Sequence, residues 1–113
     1  MSATQVVVTA DHHSPENPPI EVRPGDTVDV VEQSAEWPAF VLVRTVSGSG
    51  WVPERYLDGS RPKAMVLHPY DTHELPATAG ERLTVLEDDP ESGWSWCANA
   101  AGRTGWVPHE VIR

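Results

Sequence analysis

The stretch "GWVPERYL" at residues 50–57 recurs as "GWVPHEVI" at residues 105–112. The first four residues are identical, and the two glycines lie 105 − 50 = 55 residues apart. A second pair keeps this offset, because "PGDTVDVVE" at 24–32 aligns with "AGERLTVLE" at 79–87. A fixed period indicates a supersecondary unit that occurs more than once. We therefore predict two repeats of one small unit in this chain.

The segments between these anchors align less regularly. "WPAFVLVRT" at 37–45 corresponds to "GWSWCANAA" at 93–101, with Phe40 over Trp94 at an offset of 94 − 40 = 54. This alignment keeps the apolar alternation in step, whereas Trp37 over Trp94 is the competing alignment. The pattern leaves the position of Trp96 open. A difference of one residue predicts hairpin loops of slightly different length in the two repeats.

Each repeat has the pattern of β-strands. "TVDVVE" at 27–32 and "RLTVLE" at 82–87 place apolar residues at alternate positions after a turn that contains glycine. The chain contains 11 Pro and 8 Gly, spaced so that no long helix can form between them. Pro53 and Pro108 should each end a strand, because proline cannot donate to a ladder, and a short helical turn should follow. We predict an all-β protein.

Composition narrows the classes of partner. The chain has 113 residues, 39% hydrophobic and 22% charged, as is typical of a soluble globular protein. Its 17 Asp and Glu against 8 Lys and Arg give a formal charge of −9, which would repel nucleic acid and anionic membranes. No apolar run approaches the ~18 residues of a membrane span, and the first residues do not resemble an export signal. We expect a cytoplasmic protein without nucleic-acid or membrane partners.

The second repeat resembles a known family once its motifs are taken in order. From Val66 to Ile112 it reads "VLHPYDTHELPATAGERLTVLEDDPESGWSWCANAAGRTGWVPHEVI". This order resembles the Src homology 3 (SH3) domain, with its "ALYDY" strand, "GE.L.VL" strand, tryptophan strand and closing "G.VP..Y" turn. The first repeat, Val6 to Leu57, is similar to the same family more loosely at its start. Together the repeats resemble bacterial tandem SH3 proteins of uncharacterised role.

The resemblance implies two five-stranded SH3-like barrels in tandem. We place domain 1 at residues 1–58, a polar linker at 59–63 and domain 2 at 64–113. "VVVTA" at 6–10 should open the first domain and "AMVLH" at 64–68 the second. Domains of this size bury only ~60% of the surface of the unfolded chain, so we expect the two to pack closely against each other.

The resemblance also implies a groove of aromatic side chains that binds a proline-rich peptide as an extended left-handed helix. In the second repeat the groove positions correspond to His68, Tyr70, Trp94 and Pro108, and the closing tyrosine to Val111. In the first repeat the opening tyrosines fall in "TADHHSPEN" at 9–17, where histidine is the nearest substitute. The remaining groove candidates are Phe40, Trp37, Pro53 and Tyr56, with Trp51 and Trp106 at the border.

Acidic side chains lie in the loops expected around the second groove. They could attract a basic residue of a ligand through charge-assisted bonds, or they could simply keep a small protein soluble. The candidates are Asp71, Glu74, Asp88, Asp89 and Glu91.

The sequence shows no pattern of an enzyme, a cofactor or a metal site. The single cysteine, Cys97, lies on a predicted central strand, where a cysteine is more often an inert core residue than a nucleophile. His12 and His13 are adjacent and would point to opposite faces of a strand. We predict a non-enzymatic adaptor that binds a proline-containing or basic peptide of a protein partner. The alternatives are a structural module whose aromatic faces are buried between the repeats or in an oligomer, and a cell-wall-binding module.

Overall fold

A computed structural model of the protein describes residues 4–15 and 18–113. These residues form ten strands and two short 3₁₀ turns and contain no α-helix, so the all-β prediction is confirmed. The 3₁₀ turns are Glu54–Tyr56 and His109–Val111. The strands are β1 (Thr4–Val7), β2 (Glu21–Val22), β3 (Thr27–Gln33), β4 (Phe40–Thr45), β5 (Gly48–Pro53), β6 (Lys63–Met65), β7 (Tyr70–Asp71), β8 (Arg82–Asp89), β9 (Trp94–Ala98) and β10 (Thr104–Pro108).

The chain divides into two compact units that differ in connectivity. One consists of the described part of Met1–Glu16 together with His73–Arg113, and we call it the split unit. The other consists of the described part of Asn17–Thr72, and we call it the continuous unit. The chain therefore leaves the split unit between Pro15 and Pro18 and returns to it between Thr72 and His73.

The continuous unit contains a four-stranded antiparallel sheet and a two-stranded one. The larger sheet has the order β5-β4-β3-β6, and β2 pairs with β7 in the smaller. Alternate residues of these strands point into a core that water does not reach, as the period of two predicts. Its fully buried side chains include Val22, Val28, Val41, Val43, Val52 and Val66.

The split unit contains a four-stranded antiparallel sheet in the order β1-β8-β9-β10. Its first strand and its last three come from opposite ends of the chain. Val8, just after β1, bridges to Ile112 near the end of the chain. The core of this unit consists of Val8, Leu75, Ala77, Leu83, Cys97, Val107 and Val111.

The strand pairings of the two units contain an irregularity at matching positions. The pairing of β3 with β4 shifts register between Val30 and Glu32, and that of β8 with β9 shifts between Val85 and Glu87. The two irregularities lie 55 residues apart along the chain, since 85 − 30 = 55 and 87 − 32 = 55. A bulge adds local twist and is set by sequence, so its recurrence reflects the repeated pattern.

The opening strands lie in different units from those predicted. "VVVTA" at 6–10 is predicted to open the first domain, but β1 pairs with β8, which lies in the second predicted domain. "AMVLH" at 64–68 is predicted to open the second domain, but β6 pairs with β3, which lies in the first predicted domain. The units therefore differ from domains drawn at 1–58 and 64–113, and the predicted linker at 59–63 connects parts of the continuous unit. Residues 1–3 and 16–17 of the predicted first domain lie outside the described residues.

The physical reason is that an alternating strand carries no information about which sheet edge it will join. Each opening strand has one apolar face and can complete a sheet of the same pattern. The two five-stranded barrels and their close packing remain predictions.

Candidate functional site

Three aromatic side chains form a cluster in the continuous unit. The rings of Tyr56 and His68 are stacked, with centroids 4.3 Å apart and planes inclined by 20°. The ring of Tyr70 lies 5.8 Å from that of Tyr56 at an angle of 57°. His68 is exposed, Tyr56 is half-buried and Tyr70 is only 9% exposed. The cluster therefore forms a ridge of two rings at the surface and is supported by a third ring beneath.

The local structure holds each ring of this cluster in place. Tyr56 lies in the 3₁₀ turn that begins after Pro53, whose ring fixes the backbone at the end of β5. The guanidinium of Arg55 donates to the Tyr56 hydroxyl at 3.1 Å. Nδ1 of His68 lies 2.8 Å from the carbonyl oxygen of Pro69 and donates to it. Tyr70 is held by the pairing of β7 with β2.

A shallow cavity of about 280 Å³ lies beside Tyr70. It mixes apolar surface with charge, because two carboxylates and one guanidinium lie on its rim. Glu21 and Arg23 form a loose ion pair of 3.8 Å, and both are exposed. The lining residues are Glu21, Val22, Arg23, Pro69, Tyr70 and Asp71.

The residues predicted for the second groove are divided between the two units. His68 and Tyr70 belong to the continuous unit, whereas Trp94, Trp106 and Pro108 belong to the split unit. The division follows from the exchange of the opening strands, because His68 and Tyr70 follow β6 along the chain. The two opening aromatics of the second repeat thus join Pro53 and Tyr56 of the first.

The corresponding place in the split unit is built from different side chains. Val111 lies at the position of Tyr56, at 111 − 56 = 55, and is buried as part of the core. Trp94 is half-buried and meets the ring of His12 edge-on, at 5.7 Å and 74°. Nε2 of His12 contacts Oε1 of Glu74 at 3.0 Å. This arrangement offers a tryptophan and an ionisable pair rather than a row of aromatic faces.

The other predicted aromatic residues differ in exposure. Phe40 is only 6% exposed and belongs to the core, while Trp37 is half-buried. Trp51 is 38% exposed on β5. Trp106 is 6% exposed and lies edge-on against Trp96, with ring centroids 5.3 Å apart. Trp96, whose position the sequence left open, therefore packs across the sheet from Trp106.

The predicted acidic residues do not surround one groove. Asp71 lies beside the cavity of the continuous unit, and the others lie in the split unit. Glu74 contacts His12, and Asp88 contacts Nε2 of His109 at 2.7 Å. Asp89 is buried, whereas Glu91 is exposed.

A serine, a histidine and an aspartate meet in the split unit, but their geometry differs from that of a catalytic triad. Oγ of Ser95 donates to Oδ1 of Asp88 at 2.8 Å, and both groups contact Nε2 of His109. A triad uses the two ring nitrogens for two different partners. Burial and the charge of Asp88 raise the pKa of the Cys97 thiol to about 11, so the thiol remains protonated and unreactive.

Neither a group of metal ligands nor a membrane-spanning helix occurs in residues 4–15 and 18–113. Within these ranges, no group of three or more His, Cys, Asp or Glu side chains is arranged to hold a metal ion. The same residues contain no helix that is long and apolar enough to cross a membrane.

Part of the sequence matches a known protein family. Residues 67–109 match the SH3 domain family. The match covers β7 to β10 and begins in the continuous unit, so the matched segment contains parts of both units. The all-β fold is SH3-like, and SH3 domains are protein-interaction modules that bind protein or peptide partners.

The relatives are vertebrate proteins with SH3 and PX domains. The chain is 29% identical over its whole length to "SH3 and PX domain-containing protein 2B" of Mus musculus and 28% identical to that of Homo sapiens. It is 41% identical over 51% of its length to "SH3 and PX domain-containing protein 2A" of Danio rerio. It spans 14% of the first two relatives and 5% of the third. The predicted bacterial origin finds no support in these eukaryotic relatives.

Sequence reasoning missed how the aromatic residues are combined. It assigned Tyr56 to one groove and His68 with Tyr70 to another, and it did not identify Glu21, Arg23 or Pro69 beside Tyr70. The chain returns to the split unit within the segment "DTHEL" at 71–75, between Thr72 and His73.

Proposed function

We propose that this chain is a non-enzymatic peptide-binding module whose main site is the aromatic cluster of Tyr56, His68 and Tyr70. Its ligand is a proline-containing segment of a protein partner, bound as an extended left-handed helix. The observation that supports this proposal is the ridge of the half-buried Tyr56 ring stacked on the exposed His68 ring, with the Arg55 guanidinium over Tyr56 at 4.5 Å and a shallow cavity beside Tyr70.

The chemistry of such a ligand suits this surface. A polyproline helix has three residues per turn and no internal hydrogen bonds, so flat rings can pack against successive proline faces. Aromatic side chains contribute a large contact area at a small cost in conformational entropy. The rings here are held by Pro53, Arg55 and the β2–β7 pairing, which reduces the entropy lost on binding.

Charge favours a basic residue next to the prolines of the ligand. Among the described residues that line the cavity, Glu21 and Asp71 outnumber Arg23, and the chain carries a formal charge of −9. A lysine or arginine of a ligand could form a charge-assisted bond with either carboxylate. The acidic surface would also accelerate the encounter with a basic peptide.

The split unit provides a second and weaker candidate site. It retains Trp94 and Pro108 of the predicted groove, with Trp106 on the neighbouring strand, but Val111 replaces the closing tyrosine. We expect it to bind peptide less tightly because it has fewer aromatic faces. A cytoplasmic protein partner for either site remains a prediction.

A nitrogen-15 NMR titration with a peptide that contains two prolines and an arginine tests this proposal. We expect the largest shifts at Tyr56, His68 and Tyr70. Tyr56→Ala should weaken binding at least tenfold, because aromatic residues of this kind act as hot spots. The Tyr56 ring also contacts His68 and Tyr70, so the melting temperature of the variant is measured as well, and the loss of affinity should persist well below that temperature.

Trp94→Ala is the matched comparison in the other unit. We expect it to leave the affinity of the main site unchanged. Loss of binding in Trp94→Ala with normal binding in Tyr56→Ala would move the site to the split unit. The absence of any shift at millimolar peptide would reject the proposed function.

A further inference from the structure

The two opening strands fill equivalent positions, which we call slots. The amide of Val66 donates to the carbonyl oxygen of Asp26 at 2.8 Å. The amide of Val8 donates to the carbonyl oxygen of Glu81 at 2.8 Å. Asp26 and Glu81 are 55 residues apart, the period of the repeats. Val66 and Val8 therefore correspond, at an offset of 66 − 8 = 58.

Other backbone bonds of the slots follow the same rule. Leu67 donates to the carbonyl of Tyr56 at 2.7 Å, and Thr9 donates to that of Val111 at 2.7 Å. The Val66 carbonyl accepts from the amide of Gly25 at 2.9 Å, and the Val8 carbonyl accepts from that of Gly80 at 2.7 Å. These backbone bonds would form equally well if the two strands exchanged slots, so they do not select a strand.

Charged side chains do distinguish the slots. Nζ of Lys63 contacts Oδ1 of Asp29 at 2.6 Å across the β6–β3 pair. The corresponding pair in the split unit is Gln5 opposite Thr84. Exchange of the strands would place Lys63 opposite Thr84 and leave Asp29 opposite Gln5. The observed placement therefore keeps an ion pair that the exchanged placement would lose.

Aromatic side chains distinguish the slots in the same direction. In the continuous unit, His68 and Tyr70 meet the ring of Tyr56. The residue that corresponds to His68 in the other opening segment is Ala10, at 68 − 58 = 10. In the exchanged placement, His68 would come beside Val111, which offers no ring, and Tyr56 would have the small side chain of Ala10 in place of His68. Tyr70 would take the place of His12, at 70 − 58 = 12, beside Trp94. The stacked pair of Tyr56 and His68 is therefore the aromatic contact that exchange would remove.

We call the observed arrangement, with β1 beside β8 and β6 beside β3, the crossed placement. We propose that these side-chain matches select the crossed placement. We also propose that this placement regulates the peptide site, because the site is assembled only when the strands are crossed. The second part rests on the proposed function, because the aromatic ridge combines Tyr56 with residues of the other repeat. A peptide that binds the ridge binds the crossed placement more tightly than the uncrossed one. It therefore stabilises the crossed placement. Uncrossed molecules lack the ridge and do not bind at this site.

Connector length is the competing explanation. In the uncrossed placement the chain after Asp71 would have to reverse within a few residues to run beside its own repeat. A tight connector can decide strand pairing by itself, as hairpin loops do. The test therefore changes side chains and leaves every connector unaltered.

Disulfide trapping measures strand placement without peptide. Met65 lies opposite Thr27 in the structure, and it would lie opposite Arg82 in the exchanged placement. All three positions are exposed. Met65→Cys with Thr27→Cys, and Met65→Cys with Arg82→Cys, form a matched pair of reporters. After refolding and oxidation at low micromolar concentration, we expect an intramolecular crosslink at least tenfold more abundant in the first reporter.

Transplanting the matching side chains should reverse that ratio. The full variant combines Asp29→Thr, Thr84→Asp, Tyr56→Val and Val111→Tyr, which moves the partners of Lys63 and His68 to the other slot. In this variant, we expect the cysteine at position 65 to crosslink mainly to position 82 instead of position 27. An unchanged ratio would show that the connectors decide placement and would overturn the proposal.

Val111 is buried, so the full variant could fail to fold. Asp29→Thr with Thr84→Asp alone changes a surface ion pair, and it should still lower the ratio of the two crosslinks severalfold. A ratio unchanged in this variant would also contradict the proposal.

Peptide is then added to the surface variant, whose two placements are both populated. The proline-rich peptide should restore crosslinking to position 27. Peptide that binds without changing the ratio would contradict the regulation. Failure of the peptide to bind would reject the proposed function, while the peptide-free ratios would still test the selection of the strands.

Discussion

At the scale of single residues, burial determines what the one cysteine can do. Cys97 is fully buried on β9, opposite Val85 and Gly105, and its thiol donates weakly to the carbonyl of Ser95 at 3.6 Å. Burial, helped by the charge of Asp88, raises its pKa from 9.0 to about 11. The thiol therefore behaves as a small apolar side chain of the core.

The raised pKa of Cys97 predicts a specific dependence on pH. The unfolded thiol ionises near its ordinary pKa, whereas the folded thiol keeps its proton until about pH 11. Its contribution to stability is therefore complete below pH 9 and is lost as the pH rises towards 11. We expect urea denaturation to show a fall in the free energy of unfolding between pH 8 and pH 10.5 that is smaller in Cys97→Ala.

Alkylation provides a second check on Cys97. At pH 8, raising the thiol pKa from 9.0 to about 11 lowers the thiolate fraction roughly 100-fold. Iodoacetamide should therefore label the native protein at least 100-fold more slowly than the protein in urea. Equal rates in the two conditions would show that the thiol is accessible.

At the scale of elements, the first glycine of each "GWVP" stretch, within β5 or β10, permits close contact with another segment. A Cβ on Gly105 would lie 2.6 Å from the backbone nitrogen of Leu75 and 2.8 Å from the carbonyl carbon of Glu74. A Cβ on Gly50 would meet only side chains, at 3.0 Å or more, the nearest being Cγ2 of Thr72. Side-chain atoms can move aside more easily than backbone, so the two glycines differ in how strictly they are required.

We therefore predict that Gly105→Ala is more destabilising than Gly50→Ala. The clash with backbone at Gly105 should lower the free energy of unfolding by about 1 to 3 kcal/mol, in the range for overpacked sites. Gly50→Ala should cost less than half as much, and it serves as the matched control. Urea denaturation of both variants measures the difference, and equal losses would contradict the close approach at Gly105.

At the scale of the whole molecule, each half of the chain completes a unit that consists mainly of the other half. Strand β1 lies in the sheet of β8, β9 and β10, and β6 lies in the sheet of β3, β4 and β5. Two independent tandem domains would share no backbone hydrogen bonds. The structure instead predicts that the halves remain associated without a covalent link between them.

Cleavage in the predicted linker tests this connectivity. A specific protease site inserted between Gly59 and Ser60 lies in an exposed turn, where an insertion should be tolerated. After cleavage we expect the two fragments to elute together in size-exclusion chromatography and to separate in urea. Fragments that separate under native conditions would contradict the crossed arrangement.

The sequence by itself determined the local structure of this protein. The repeated "GWVP" stretch and its 55-residue period gave the equivalence of the elements, and strand alternation gave the all-β class. These features follow from short-range preferences, because proline ends a ladder and the sheet faces need a period of two. The aromatic candidates Tyr56, His68 and Tyr70 were also identifiable, since their positions resemble those of the family motifs.

Only the tertiary structure decided which opening strand joins which sheet, and hence which aromatic residues lie together. Strands 4–7 and 63–65 have backbone bonding groups that fit either slot, so no local pattern could distinguish the two placements. The difference lies in long-range side-chain pairs, such as Lys63 with Asp29 and His68 with Tyr56. These pairs exist only after the chain has folded, which is why sequence patterns alone divided one aromatic site between two predicted domains.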